Sequence, residues 1–261
     1  MGKFIDRTGE ENYNNFGTLM KIVEYNSNKD VIVEFQDEHK EKVHVEYKCF
    51  KKGGVKNPYD RDVYGIGYIG KGKYKSRGED GKQTQVYVCW KNMLKRCYDP
   101  YELNKRPTYI DCYVCDEWFN FQNFVEWYYK NYYEIDGETM CLDKDILVKG
   151  NKIYSPETCV FVPNNINVLF IKCDNVRGEY TVGVHYNKAS GKLLARCCIY
   201  EGGKNKRVYL GSFSPNKPFQ AFYTYKNFKE NYIKQVAEEY KNLIPKKLYN
   251  ALYAYEVEIN D

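Results

Sequence analysis

No run of about 18 apolar residues occurs anywhere in the sequence, and the mean hydropathy is −0.72, which together exclude an integral membrane protein. The stretch from Met1 to Asn15 has no apolar h-region of an export signal, and the residues after Gly2 lack the Ser or Thr of a myristoylation site. The chain is therefore expected in the cytoplasm, with its ten cysteines reduced rather than paired. Histidine is scarce, with only His39, His44 and His185, and arginine supplies eight of the 40 basic residues. Excess charge is scarce as well: 40 basic against 35 acidic residues leave +5, too little by itself to announce a nucleic-acid partner. At 261 residues the chain exceeds one small module and fits two or three domains.

What is abundant is tyrosine, 28 residues in a chain that is 17% aromatic. Heavy use of Lys, Tyr and Asn follows from AT-rich codons; the alternative is a set of tyrosines on which bases stack. The small net charge hides strong segregation. Residues 51–82 carry nine basic and four acidic side chains, residues 177–215 seven and two, and residues 111–145 two and nine. Two basic segments on either side of an acidic, cation-seeking one suit a polyanion better than the total suggests.

Hydrophobic periodicity predicts an α+β chain in three parts, residues 1–60, 61–172 and 177–261. In the first, Val31, Val33 and Phe35 alternate, as do Val43, Val45 and Tyr47, and turn residues between them predict a three-stranded meander. In the second, Val86–Tyr98 and Glu117–Asn131 carry wide apolar stripes at helical spacing, followed by strand, loop, strand and helix. The third reads as strands over Tyr180–Tyr186, Lys192–Tyr200 and Arg207–Phe213, a helix over Lys217–Lys241 and a short helix after Pro245.

Gly65, Gly67 and Gly70 have G-x-G-x-x-G spacing, but a dinucleotide site needs a helix next, and a basic loop follows instead. Lys71, Lys73, Lys75 and Arg77 on that loop suit a phosphate backbone. Cys112-x-x-Cys115 has zinc-knuckle spacing, but Cys89, Cys97 and Cys141 form no second pair, so zinc is not expected and buried thiols are.

The segment Leu142-Asp-Lys-Asp-Ile through Asn167 resembles the ββα-metal core of HNH endonucleases of the phage and homing type, and the helices before it resemble those preceding that core. The resemblance implies one Mg²⁺ or Mn²⁺ held by Asp143 and Asn167, with Asn165 as the alternative if the register slips, and Asn151 in the loop. Oxygen ligands of this kind suit either cation. That family places a general-base His directly after the metal-binding Asp, where this chain has Lys144. A Lys of ordinary pKa, about 10.4, does not accept a proton from water at neutral pH. Either Asp145 or metal-bound hydroxide serves as base and DNA is cleaved, or the core is kept without its chemistry and Lys144 touches a phosphate.

Residues Tyr180-Thr-Val-Gly-Val-His, Gly191-Lys-Leu-Leu-Ala-Arg and Tyr209-Leu-Gly-Ser-Phe resemble the AP2-type DNA-binding domain, whose three-stranded sheet lies in the major groove with a helix on its back. Alternation puts Leu193, Ala195, Cys197 and Ile199 on one face, with Val208 and Leu210. His185, Lys192, Arg196, Arg207 and Tyr209 then share the other face and are the expected DNA contacts. Two functions stay open: metal-dependent hydrolysis of double-stranded DNA in a bacterial host cell, or a non-cleaving DNA-binding protein that regulates or modulates host defence.

Overall fold

The computed structural model describes residues 5–170, 179–201, 204–259 and 261. Arg177, counted above with the basic C-terminal segment, lies outside the described residues, as do residues 171–172 of the expected middle part. Contacts group the chain into two units, residues 1–130 with 152–155, and residues 131–151 with 156–261. The units part elsewhere than after residues 60 and 172, and the packing within each shows why.

In the first unit, β1 (Glu11–Tyr13), β2 (Leu19–Ser27), β3 (Asp30–Phe35) and β4 (Lys42–Val45) form an antiparallel sheet in that order. Met20, Ile22, Val31, Val33 and Phe35 alternate onto its inner face and are fully buried. The meander has one strand more than predicted, because three residues are too few for alternation to show; Glu11 stands opposite Lys21, 3.4 Å from its Nζ. Tyr47 does not extend β4 but begins α1 (Tyr47–Lys51), which turns Phe50 into the core beside Met20 and Ile22.

Helix α2 (Gln85–Tyr98) starts at Thr84, whose side chain accepts from the Tyr87 N–H, and α3 (Pro100–Lys105) starts at Asp99 in the same way. The stripe predicted as one helix from Glu117 breaks at Asn120. A 3-10 turn (Asp116–Phe119) precedes it, and the Asn120 Oδ1 accepts the Gln122 N–H at 3.0 Å where α4 (Phe121–Asn131) begins. Trp90 and Trp118 are fully buried, and the Trp90 Nε1 donates to the Trp118 carbonyl at 2.7 Å. The short β5 (Tyr113–Val114) completes the region.

In the second unit, β6 (Met140–Asp143) pairs antiparallel with a strand that starts only at Val160. Between them the chain forms β7 (Ile153–Tyr154), which pairs parallel with β5 in the first unit. The true partner is β8 (Val160–Pro163), followed by the single-turn α5 (Asn164–Asn167) and a 3-10 turn to Phe170. The C-terminal sheet has β9 (Val184–Asn187) and β11 (Lys204–Phe213) flanking β10 (Lys192–Glu201).

The 23-residue α6 (Pro218–Tyr240), about 35 Å long, joins these parts. Ala221, Phe222 and Tyr225 in its first half pack with Val184, Leu193 and Cys197 of the sheet. Ile233, Val236 and Ala237 in its second half pack with Val160, Val162 and Ile166, and with Leu248 and Leu252 of α7 (Lys246–Tyr253). One helix thus serves two cores, which is why the Asp143 hairpin belongs with the C-terminal sheet. No helix among the described residues is long and apolar enough to cross a membrane.

Candidate nucleic-acid interface

Strand pairing fixes which side chains share the outer face of the β9–β11 sheet. Across β10, Lys192 stands opposite Asn187, Leu194 opposite His185, Arg196 opposite Tyr209 and Cys198 opposite Arg207. Directly opposed residues point to one side, so the five expected contacts do lie on one face. A register shift after Ala195 makes this so. Ala195 pairs with Gly211 but Arg196 pairs with Tyr209, leaving Leu210 as the extra residue of a bulge. Without it Arg207 and Tyr209 would face α6 with Cys197.

Most of the face is open: Tyr209 is 59% exposed and Lys192, His185 and Arg207 are exposed too, while Arg196 is half-buried and Leu194 on the same face is buried. Partial burial lowers the His185 pKa, and the positive Arg196 and Arg207 nearby lower it further, so this imidazole is neutral at neutral pH. Two guanidiniums with an aromatic and an imidazole can form bidentate hydrogen bonds to guanine edges or grip phosphates.

The Asp143 loop is arranged differently from the expectation. Asp143 Oδ1 accepts the backbone N–H groups of Asp145 (2.9 Å) and Ile146 (2.7 Å), closing the turn after β6. Lys144 is only 7% exposed, and its Nζ donates to Asp145 Oδ2 at 3.1 Å and the Asn151 carbonyl at 3.0 Å. Asn151 returns a bond from Nδ2 to the Lys144 carbonyl at 2.7 Å. Asn165 donates to Glu138 at 2.5 Å, and Glu138 also accepts from the Tyr240 hydroxyl. No hydrogen bond joins Asp143 to Asn167 among the described residues. Helix α5 follows β8 from Pro163, which stands opposite Met140 at the other end of β6 from Asp143. Among the described residues no three His, Cys, Asp or Glu side chains gather where they could share a metal ion. As placed, Asp143, Lys144 and Asn151 tie the loop to itself.

Burial pushes the Asp143 pKa up to about 6, helped by the neighbouring Asp145 carboxylate and opposed by the two backbone N–H donors. Above that pH the fold holds an ionised carboxylate where burial penalises it. As pH falls from about 6 toward the ordinary 3.8, the native state takes up the proton first and stability rises. Asn keeps the Oδ1 acceptor without the charge. Asp143→Asn is therefore expected to raise the urea midpoint at about pH 8 and to lose that gain by about pH 4. An equal gain at both would contradict the assignment.

The basic loop is ordered by a residue that the sequence reading missed. Gln122 Nε2 donates to the Ile69 and Tyr74 carbonyls, each at 3.0 Å, and its Oε1 accepts the Tyr74 N–H at 3.1 Å. The signal was available: Gln122 lies four residues after Trp118, a polar side chain on an apolar helical stripe. Within the glycine run Gly65 has φ +73° and open space, and a Cβ at Gly67 would strike Leu94 and Trp90. Gly70 has φ +69°, and a Cβ there would strike the Asn120 side chain. Lys71 is tied to Glu41 at 2.9 Å and Arg77 to the Gly81 carbonyl at 2.6 Å, while Lys73 lies over the Tyr74 ring. Gln122→Leu, which strips three partly buried bonds, is expected to cost about 2–3 kcal/mol and to accelerate amide exchange at Tyr74. Unchanged protection there would show that the loop holds itself.

Cys112 is buried, its thiol donating to the Thr108 carbonyl, and Cys115 is half-buried. No protein-family model matches the chain, and neither the curated proteins nor the solved structures give a match.

Proposed function

We propose that the protein binds double-stranded DNA through the outer face of the β9–β11 sheet and does not cleave it. The carrying observation is the bulge that turns Arg207 and Tyr209 to the side of Arg196, His185 and Lys192, with α6 filling the opposite face. An exposed cationic sheet face backed by a packed helix suits insertion into a major groove, where arginine reads guanine. Lys71, Lys73, Lys75 and Arg77 add positive charge on a separate loop. Lack of cleavage is supported by the Asp143 loop, where Lys144 stands directly after Asp143 and spans Asp145 and the Asn151 carbonyl. Such a protein acts in the bacterial cytoplasm as a DNA-bound regulator or a factor directed at host defence, in the manner of phage and mobile-element proteins.

Two measurements test this. Titration of a blunt duplex should show binding that weakens linearly in log affinity against log salt. Supercoiled plasmid incubated with the protein and Mg²⁺ or Mn²⁺ should stay intact. Nicks that vanish in Asp143→Ala would replace this reading with the nuclease. Binding indifferent to salt would overturn the assignment of the sheet.

A further inference from the structure

The basic loop borders a cavity of about 340 Å³ in the first unit, in a size range typical of small-molecule sites. Lys73, Lys75 and Arg77 line it from the loop, and Glu79 is the one acidic residue against these three. Tyr74 and Tyr129 supply aromatic wall. Their ring centroids lie 5.9 Å apart at 37°, splayed rather than closed on each other, and Tyr129 is 62% exposed. Buried Val86 and Val125 add apolar surface. Lys75 makes no hydrogen bond or ion pair among the described residues. The Gln122 bonds hold Tyr74 in place before any ligand arrives.

Cationic groups beside an apolar, aromatic wall match the two halves of a nucleotide. A stacked base pair offers only its edges, whereas an unpaired base offers the π-face that a tyrosine can meet. We propose that this cavity takes one unpaired nucleotide of a DNA strand, its phosphate on Lys73, Lys75 and Arg77 and its base against Tyr74 and Tyr129. The site deepens the DNA-binding reading and rests on it, yet uses none of the sheet's residues, so the two can fail separately.

The test titrates the full chain, by fluorescence anisotropy, against a labelled blunt duplex and a labelled single-stranded oligothymidylate. Tyr129→Ala and Lys75→Glu change exposed side chains, so the fold should survive both. Each is expected to weaken oligothymidylate binding by about tenfold, and Tyr129→Ala, which removes no charge, to leave blunt-duplex binding unchanged. Oligothymidylate binding that is unchanged in both variants, or that in Tyr129→Ala falls in equal measure with duplex binding, overturns the cavity assignment. If the wild-type chain fails to bind duplex while oligothymidylate binding still depends on Tyr129, the sheet reading falls and the cavity stands.

Discussion

Replacing Arg196 and Arg207 together with alanine is expected to weaken binding to a blunt duplex by about two orders of magnitude. Both side chains leave the same face of the sheet, Arg196 from its pair with Tyr209 and Arg207 from its pair with Cys198. Truncating them removes two cations without touching the α6-facing core of Leu193, Cys197 and Phe222. Circular dichroism and the urea midpoint should therefore stay close to those of the parent. The salt series separates what the guanidiniums do. If each neutralises a phosphate, the slope of log affinity against log salt falls by about 0.9 per residue. If they read guanine edges, replacement by lysine keeps the charge and the slope but flattens discrimination among sequences, because an ammonium lacks the planar fork. A double alanine variant that binds as tightly as the parent would remove the sheet from the interface.

The outer face was legible only in part: Ala195 and Cys197 are buried on either side of the more exposed Arg196, whereas Leu193, Leu194 and Ala195 are buried in succession. The bulge that makes β11 agree with it was not, since an extra residue at Leu210 alters pairing without altering composition. A similar limit applies to β7. Tyr154 looks like the entry to a hairpin strand, and only long-range pairing with β5 shows that the chain leaves β6 for the other unit before returning as β8. The bonding of the Asp-Lys-Asp stretch was not legible either: a sequence cannot say that Asp143 spends an oxygen on two backbone amides or that Lys144 folds back onto Asp145 and Asn151. The helical stripes of α2 and α4 were legible, and the exception within one of them, Gln122, turned out to organise the loop that borders the cavity.

Gly183→Ala is expected to destabilise the second unit by about 3 kcal/mol, through backbone strain and overpacking together. Gly183 precedes β9 with φ +75°, and a Cβ built there would run into the ring of Tyr225, a residue of α6 packed in the sheet core. The ring has no free side to move to, being only 8% exposed, so either α6 lifts or the strand entry shifts. Gly137 provides the control, because it has the same φ of +75° with nothing within 4 Å of a Cβ. Gly137→Ala should thus cost only the backbone share, about 1 kcal/mol, and the difference between the two variants measures the contact with Tyr225. The consequence reaches the interface, since the Gly183 carbonyl accepts the Arg196 N–H at 2.9 Å. A strand entry displaced by the new methyl group pulls on the backbone that aims Arg196, so duplex affinity should fall along with the urea midpoint. Equal, small losses in the two alanine variants would show that α6 yields freely. The sheet would then not depend on this close approach for its geometry.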